Sequence, residues 1–171
     1  MRTFLLCLLI IVFQGAVAEE RYHVNSILLM QPEAVFQQRT GDVAALGNYV
    51  DALGTTADVA LLQETRQVPA SGFIVVAVRP GGFSRVWLDF TPALSTDLAA
   101  RLQGSLAKVV PMPTKDGVVV FAIKVSFWGA EQTPRRGPTP AEWKKATKGT
   151  QGPIEIGALM DRVWPAEPPG H

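Results

Sequence analysis

The chain has 171 residues with 16 Lys and Arg, 15 Asp and Glu and a formal net charge of +1, so it carries no basic footprint for nucleic acid. Its only cysteine is Cys7, inside an apolar N-terminal run, which excludes disulfides, thiolate metal sites and cysteine nucleophiles from the rest of the chain. Hydrophobic residues make up 47%, enough for one domain with a sizeable core.

The first 18 residues read as a cleavable secretory signal peptide. Met1-Arg2 is a short positive region and residues 4–13 are apolar. Gln14-Gly15 breaks the run, and Ala16-Val17-Ala18 supplies the small-x-small pattern for cleavage after Ala18. An uncleaved anchor is the rival, but residues 4–18 fall short of the about 20 apolar residues a spanning helix needs. The reading implies a periplasmic or secreted protein with no transmembrane span in its mature form. Cysteine-free composition suits a bacterial periplasm.

Residues 19–69 read as a helical segment. Pro32-Glu33-Ala34 opens one helix. Asp42 caps a second, in which Val43, Leu46, Val50 and Leu53 recur at helical spacing. Gly54-Thr55-Thr56 is expected to stop it, with a short third helix carrying Val59, Leu61 and Leu62.

Residues 70–129 read as strand, strand, helix, strand. Residues 73–78 form a β-branched run, apolar on both faces and so expected to be covered on both. Arg79-Pro80-Gly81-Gly82 is turn chemistry. Residues 84–90 alternate, with Val86, Leu88 and Phe90 on one face and Arg85, Trp87 and Asp89 on the other. Pro92 or Ser95 starts a helix, with Asp97 at its positive end, whose Leu94, Leu98, Leu102, Leu106 and Val110 make one apolar stripe. The final strand spans residues 118–128, and Val119, Phe121, Ile123, Val125 and Phe127 line one face.

Residues 130–171 form a Pro- and Gly-rich extension. Thr139-Pro140-Ala141-Glu142 reads as a capping box before a short basic helix with Trp143, Lys144, Lys145 and Lys148. Met160, Val163 and Trp164 are expected to dock on the domain, folding back over Trp87 and Trp128, and Pro168-Pro169 marks a frayed end. The fold class that follows is α+β: a small antiparallel sheet of about three strands packed with helices.

No catalytic, cofactor or metal constellation stands out. The two histidines, His23 and His171, lie near the termini, and no phosphate-binding glycine loop occurs. Arg85 and Asp89 share a strand face and read as a surface ion pair or, in the sharper version, a ligand-contacting pair. The basic run Arg135, Arg136, Lys144, Lys145 and Lys148 reads as a solvated face or as a contact for an acidic partner.

The block GFIVVAVRPGGFSRVWLDF, PALSTDLAARLQGSLAKVV and PMPTKDGVVVFAIKVSFWG resembles the periplasmic C-terminal domain of TonB and TolA proteins. The resemblance implies a binding role in the bacterial cell envelope, without catalysis and without cofactor. It places an envelope-protein partner, or a second copy, on the last strand by strand addition. The partner-binding residues would be Val118, Val120, Ala122, Lys124, Ser126 and Trp128, with Trp87 and Arg85 beside them. The chain departs from that family in lacking its long membrane helix and Pro-rich spacer, which implies a stand-alone domain. Two alternatives compete with this reading: an immunity protein against an exported toxin, and a small-ligand binder or enzyme using Arg85 and Asp89.

Overall fold

The computed structural model describes residues 20–165. The expected signal peptide, Pro168-Pro169 and His171 lie outside the described residues. The fold is α+β, with a four-stranded antiparallel sheet and five helices among those residues. The strands are β1 (Tyr22–Leu29), β2 (Ala70–Arg79), β3 (Phe83–Thr91) and β4 (Val119–Phe127), in the order β1-β4-β2-β3. β2 and β4 are central because both are apolar on both faces. Every residue of β2 except Arg79 is buried, and every residue of β4 except Lys124.

Helices cover both faces. On one, Ile74, Val76, Phe121, Ile123 and Phe127 meet α2 (Val43–Leu62) and α3 (Thr96–Leu106), with α1 (Glu33–Thr40) contributing Phe36. Leu98, Leu102 and Leu106 are the buried stripe of α3, as their spacing requires, but the helix ends at Leu106 and Val110, expected to extend the stripe, lies beyond it and is exposed. On the other face, Phe73, Val75, Ala77, Val118, Val120 and Ala122 meet α4 (Ala141–Ala146) and α5 (Ile156–Val163). The extension is therefore the third layer of the domain. Met160 is fully buried in it, and Trp143 packs edge-on against Trp87 with ring centroids 5.6 Å apart.

The structure corrects several expectations. The sheet has a fourth strand, β1, inside the segment expected to be helical, and it pairs with β4. Its register shifts between Val24 and Ser26. The bulge puts Val24 opposite Val125 and Ile27 opposite Ile123, on the same face, so the period-2 signal loses a step at Asn25. Next, α2 runs through Gly54-Thr55-Thr56 without stopping. Thr55 and Thr56 donate their hydroxyls back to the Asp51 and Ala52 carbonyls, so neither competes with the helix. Gly54 gives room to Tyr22, whose ring would stand 3.2 Å from a Cβ there. Finally, the capping box does not form: α4 starts after Pro140 with no side-chain cap, and Glu142 is used elsewhere.

Tyr22 and Tyr49 are the only tyrosines. Burial raises the pKa of Tyr22 well above its ordinary value. Burial also raises Tyr49, against a smaller opposing effect of the Ser84 hydroxyl. The folded state thus holds both phenol protons more tightly than the unfolded chain. Stability contributed by the neutral phenols is present in full below about pH 10, where unfolded tyrosine titrates, and falls as pH rises past it. Spectrophotometric titration should show little tyrosinate in the native protein near pH ~10, and half-ionisation there in denaturant. Equal midpoints in the two would contradict the buried placement.

Candidate interaction surface

The residues expected to bind a partner are occupied within the chain. Val118, Val120, Ala122 and Trp87 lie under α4 and α5. Ser126 is buried and accepts from Asn25 Nδ2 at 2.9 Å. Lys124 is half-buried in a row with Ser26, Phe73 and Asp89 across the sheet. Trp128 has left the face that strand alternation assigns to it. Its φ of 49° and the 70° of Gly129 close a tight turn, with Ala130 N donating to Phe127 O at 3.1 Å. The turn swings the indole back onto the α2–α3 side, edge-on to Phe127 at 5.9 Å. A non-glycine residue there stores about 1–3 kcal/mol of strain, which the packing of the ring must offset.

The last strand cannot receive a partner at its edge. β4 is paired with β2 on one side and with β1 on the other, so strand addition there is corrected by the topology.

Arg85 and Asp89 do not pair with each other. Asp89 accepts from Arg135 Nη1 at 2.8 Å on both carboxylate oxygens, and from Thr139 N at 2.6 Å. Arg85 donates to Glu142 Oε1 at 2.7 Å and to the Val163 carbonyl at 2.7 Å. Glu142 also accepts from Trp87 Nε1. Arg79 lies 3.6 Å from Asp161 and 4.5 Å from the Trp164 ring centre. These contacts fasten the extension along β2 and β3. Arg135 therefore drops out of the basic run, while Lys144, Lys145 and Lys148 stay exposed.

One arrangement was not legible in the sequence. The sheet sets His23 opposite Ser126, and His23 Nδ1 lies 3.0 Å from Glu20 Oε2. These are the residue types of a nucleophile, a base and an orienting acid. They are not assembled as one, because the bond at Ser126 Oγ comes from Asn25 and none joins it to the imidazole.

The two edges of the sheet differ. At β3, the Val86 carbonyl accepts from Gln103 Nε2 at 2.7 Å and the Asp89 carbonyl from Arg135 Nη2 at 2.6 Å. The adjoining cleft of about 260 Å³ is walled by Ala99, Thr139 and Lys144. At β1, Val24 and Ile27 are 37% and 41% exposed, and no Lys, Arg, Asp or Glu lies within the strand. Met30 N donates to Val120 O at 3.0 Å, which makes the even-numbered residues after the bulge the ones that bond β4. The N–H and C=O groups of Ile27 and Leu29 therefore point away from the sheet.

A second cleft, of about 290 Å³, lies between the α2–β2 connection and the start of α3, with Trp128 and Leu98 in its wall.

The chain matches no protein-family model, no curated protein and no solved structure.

Proposed function

We propose that this chain is an exported, non-catalytic protein-interaction module of the bacterial cell envelope that receives an extended segment at the outer edge of β1. The observation that carries the reading is the outward backbone of Ile27 and Leu29, unpaired among the described residues, on an edge strand without charged residues. Edge strands are ordinarily guarded by Lys, Pro or a bulge. Here the one bulge lies at Asn25, ahead of the regular run, and leaves residues 26–29 as a straight template.

The block that resembles TonB and TolA domains corresponds to β2, β3, α3 and β4. β1 lies along the side of β4 that the resemblance would leave for a partner, so docking moves outward by one strand. Export is supported by the start of β1 at Tyr22, four residues past the expected cleavage after Ala18.

Ile27→Pro tests the edge. It removes one outward N–H and no bond to β4. Tagged protein captured from envelope extract after crosslinking, with partners identified by mass spectrometry, is expected to retain its partner as wild type. Ile27→Pro should lose it by roughly tenfold or more, with an unchanged circular dichroism spectrum. A partner held equally by both proteins would place docking elsewhere. Absence of any partner, including a second copy, would overturn the interaction reading.

A further inference from the structure

We propose that the occupant of the β1 edge is a second copy of this chain, related by a two-fold axis, so that two four-stranded sheets continue as one. The inference rests on the edge reading above and names the partner that fits it. A two-fold interface is self-complementary, so both the strand and what flanks it must match themselves.

The strand does. Trp128 N donates to Arg21 O at 3.1 Å, so Arg21 and His23 bond β4 ahead of the bulge, as the even-numbered residues do after it. Tyr22, Val24, Ile27 and Leu29 are left facing outward. They stand opposite Phe127, Val125, Ile123 and Phe121, on the sheet face that α2 covers. The set is symmetric about the point between Asn25 and Ser26. An antiparallel copy therefore sets Val24 against Ile27 and Tyr22 against Leu29, each twice, and every outward residue meets an outward residue. No Lys, Arg, Asp or Glu in the strand opposes the match.

α2 decides between a copy and a short peptide. Gly47, Asp51, Gly54 and Asp58 form one row along it, at spacings of 4, 7 and 11 from Gly47. Gly54 meets Tyr22, and Asp58 pairs with Arg21 at 3.3 Å, so the row runs above β1. Arg39, shortly before α2, donates to Val118 O at 2.6 Å, and Met30, just past β1, donates to Val120 O. Earlier residues of α2 thus lie above later residues of β1. The point between Asn25 and Ser26 is about 12 Å along the strand from Tyr22. At about 1.5 Å per residue that is about eight residues of α2 back from Gly54, which reaches Gly47.

Gly47 is exposed, and an added Cβ would have nothing within 4 Å. A glycine inside a helix costs stability, and packing within one copy does not offset it here. At the two-fold axis it lets α2 and its copy approach closely on the same side of the joined sheet. Asp51 and Asp58 are the only charged residues of α2, and its exposed Val43, Ala44, Asn48 and Ala52 are uncharged. A copy covers that face; a peptide on β1 would leave it bare.

Sedimentation equilibrium of the mature protein should give a dimer at micromolar concentration. Ile27→Pro should weaken it by about tenfold or more, as each copy loses an outward N–H. Gly47→Lys adds bulk and like charge at the axis but lies off the strand. It should weaken the dimer as much, with an unchanged circular dichroism spectrum, and a peptide partner would be indifferent to it. Disulfides read the register, since Cys7 is the only cysteine and lies in the expected signal peptide. Val24→Cys mixed with Ile27→Cys should crosslink on mild oxidation. Neither should alone, because like residues then lie beyond the about 7 Å that a disulfide spans between Cα atoms. A wild-type protein that stays monomeric up to about 0.5 mM would overturn the second copy. Capture of another protein, lost in Ile27→Pro, would in that case still uphold the edge as a site. A dimer as stable in Gly47→Lys or in Ile27→Pro as in wild type, or equal crosslinking by the single variants, would overturn the two-fold interface.

Discussion

Removal of residues 130–171 is expected to leave a chain that aggregates and binds hydrophobic dye, not a smaller soluble domain. The extension covers Phe73, Val75, Ala77, Val120 and Ala122, each fully buried and all on one sheet face. Without α4 and α5 those side chains become one contiguous apolar patch, of a kind soluble monomers rarely expose. The ion pairs of Arg85 and Asp89 would be lost as well, but they are partly solvated and contribute less than the burial. A single substitution gives the same test in graded form. Met160→Ala empties a fully buried position and should cost about 3 kcal/mol. For a domain of this size that lowers the melting temperature by roughly 10 °C. A truncated protein that stays monomeric and unfolds cooperatively at the wild-type temperature would show that the extension is a dispensable tail.

Gly72→Ala is expected to be the most damaging of the glycine substitutions. Gly72 lies opposite Phe90 in the β2–β3 ladder. A Cβ there would fall 2.6 Å from the Phe90 Cα and closer still to the Asp89 carbonyl oxygen. Both are backbone atoms of a paired strand, so no side chain can move aside. The strands must separate locally, at a cost of about 3 kcal/mol or more. Asp89 would move with them and carry its bonds to Arg135 and Thr139. Gly104→Ala is the matched control. It sits in α3 with nothing within 4 Å of the added carbon, and should stabilise by about 1 kcal/mol through helix propensity. Urea unfolding midpoints should move in opposite directions. A neutral Gly72→Ala would mean that β2 and β3 are not so closely apposed.

The two results bear on how the surface is built. The sequence places Asp89 beside Arg85, because residues an even number of positions apart on a strand share a face. They do share it, but each is taken by a residue far along the chain. Arg135 is 46 positions from Asp89, and Glu142 is 57 from Arg85. Charge complementarity at such separations leaves no local pattern. The same holds for Trp128: alternation assigns it to the extension's side, and a two-residue turn reverses it.

Local chemistry determined the α+β class, the β2–β3 hairpin, the helical part of the α3 stripe, the double-sided burial of β2, and the docking of Met160 and Val163. In each, the signal is a period of 2 or 3.6, a turn residue or a buried apolar position within one element. Tertiary structure alone decided the rest. β1 was hidden because a bulge at Asn25 breaks its period. α2 passes through Gly54 because Tyr22, a neighbour from another element, fills the space the glycine leaves. Which strand lies at the sheet's edge follows from the pairing of β1 with β4, roughly 100 residues apart in the chain. That pairing moves the open edge from the last strand to the first, because the ladder's free hydrogen bonds depend on order in the sheet and not on order in the sequence.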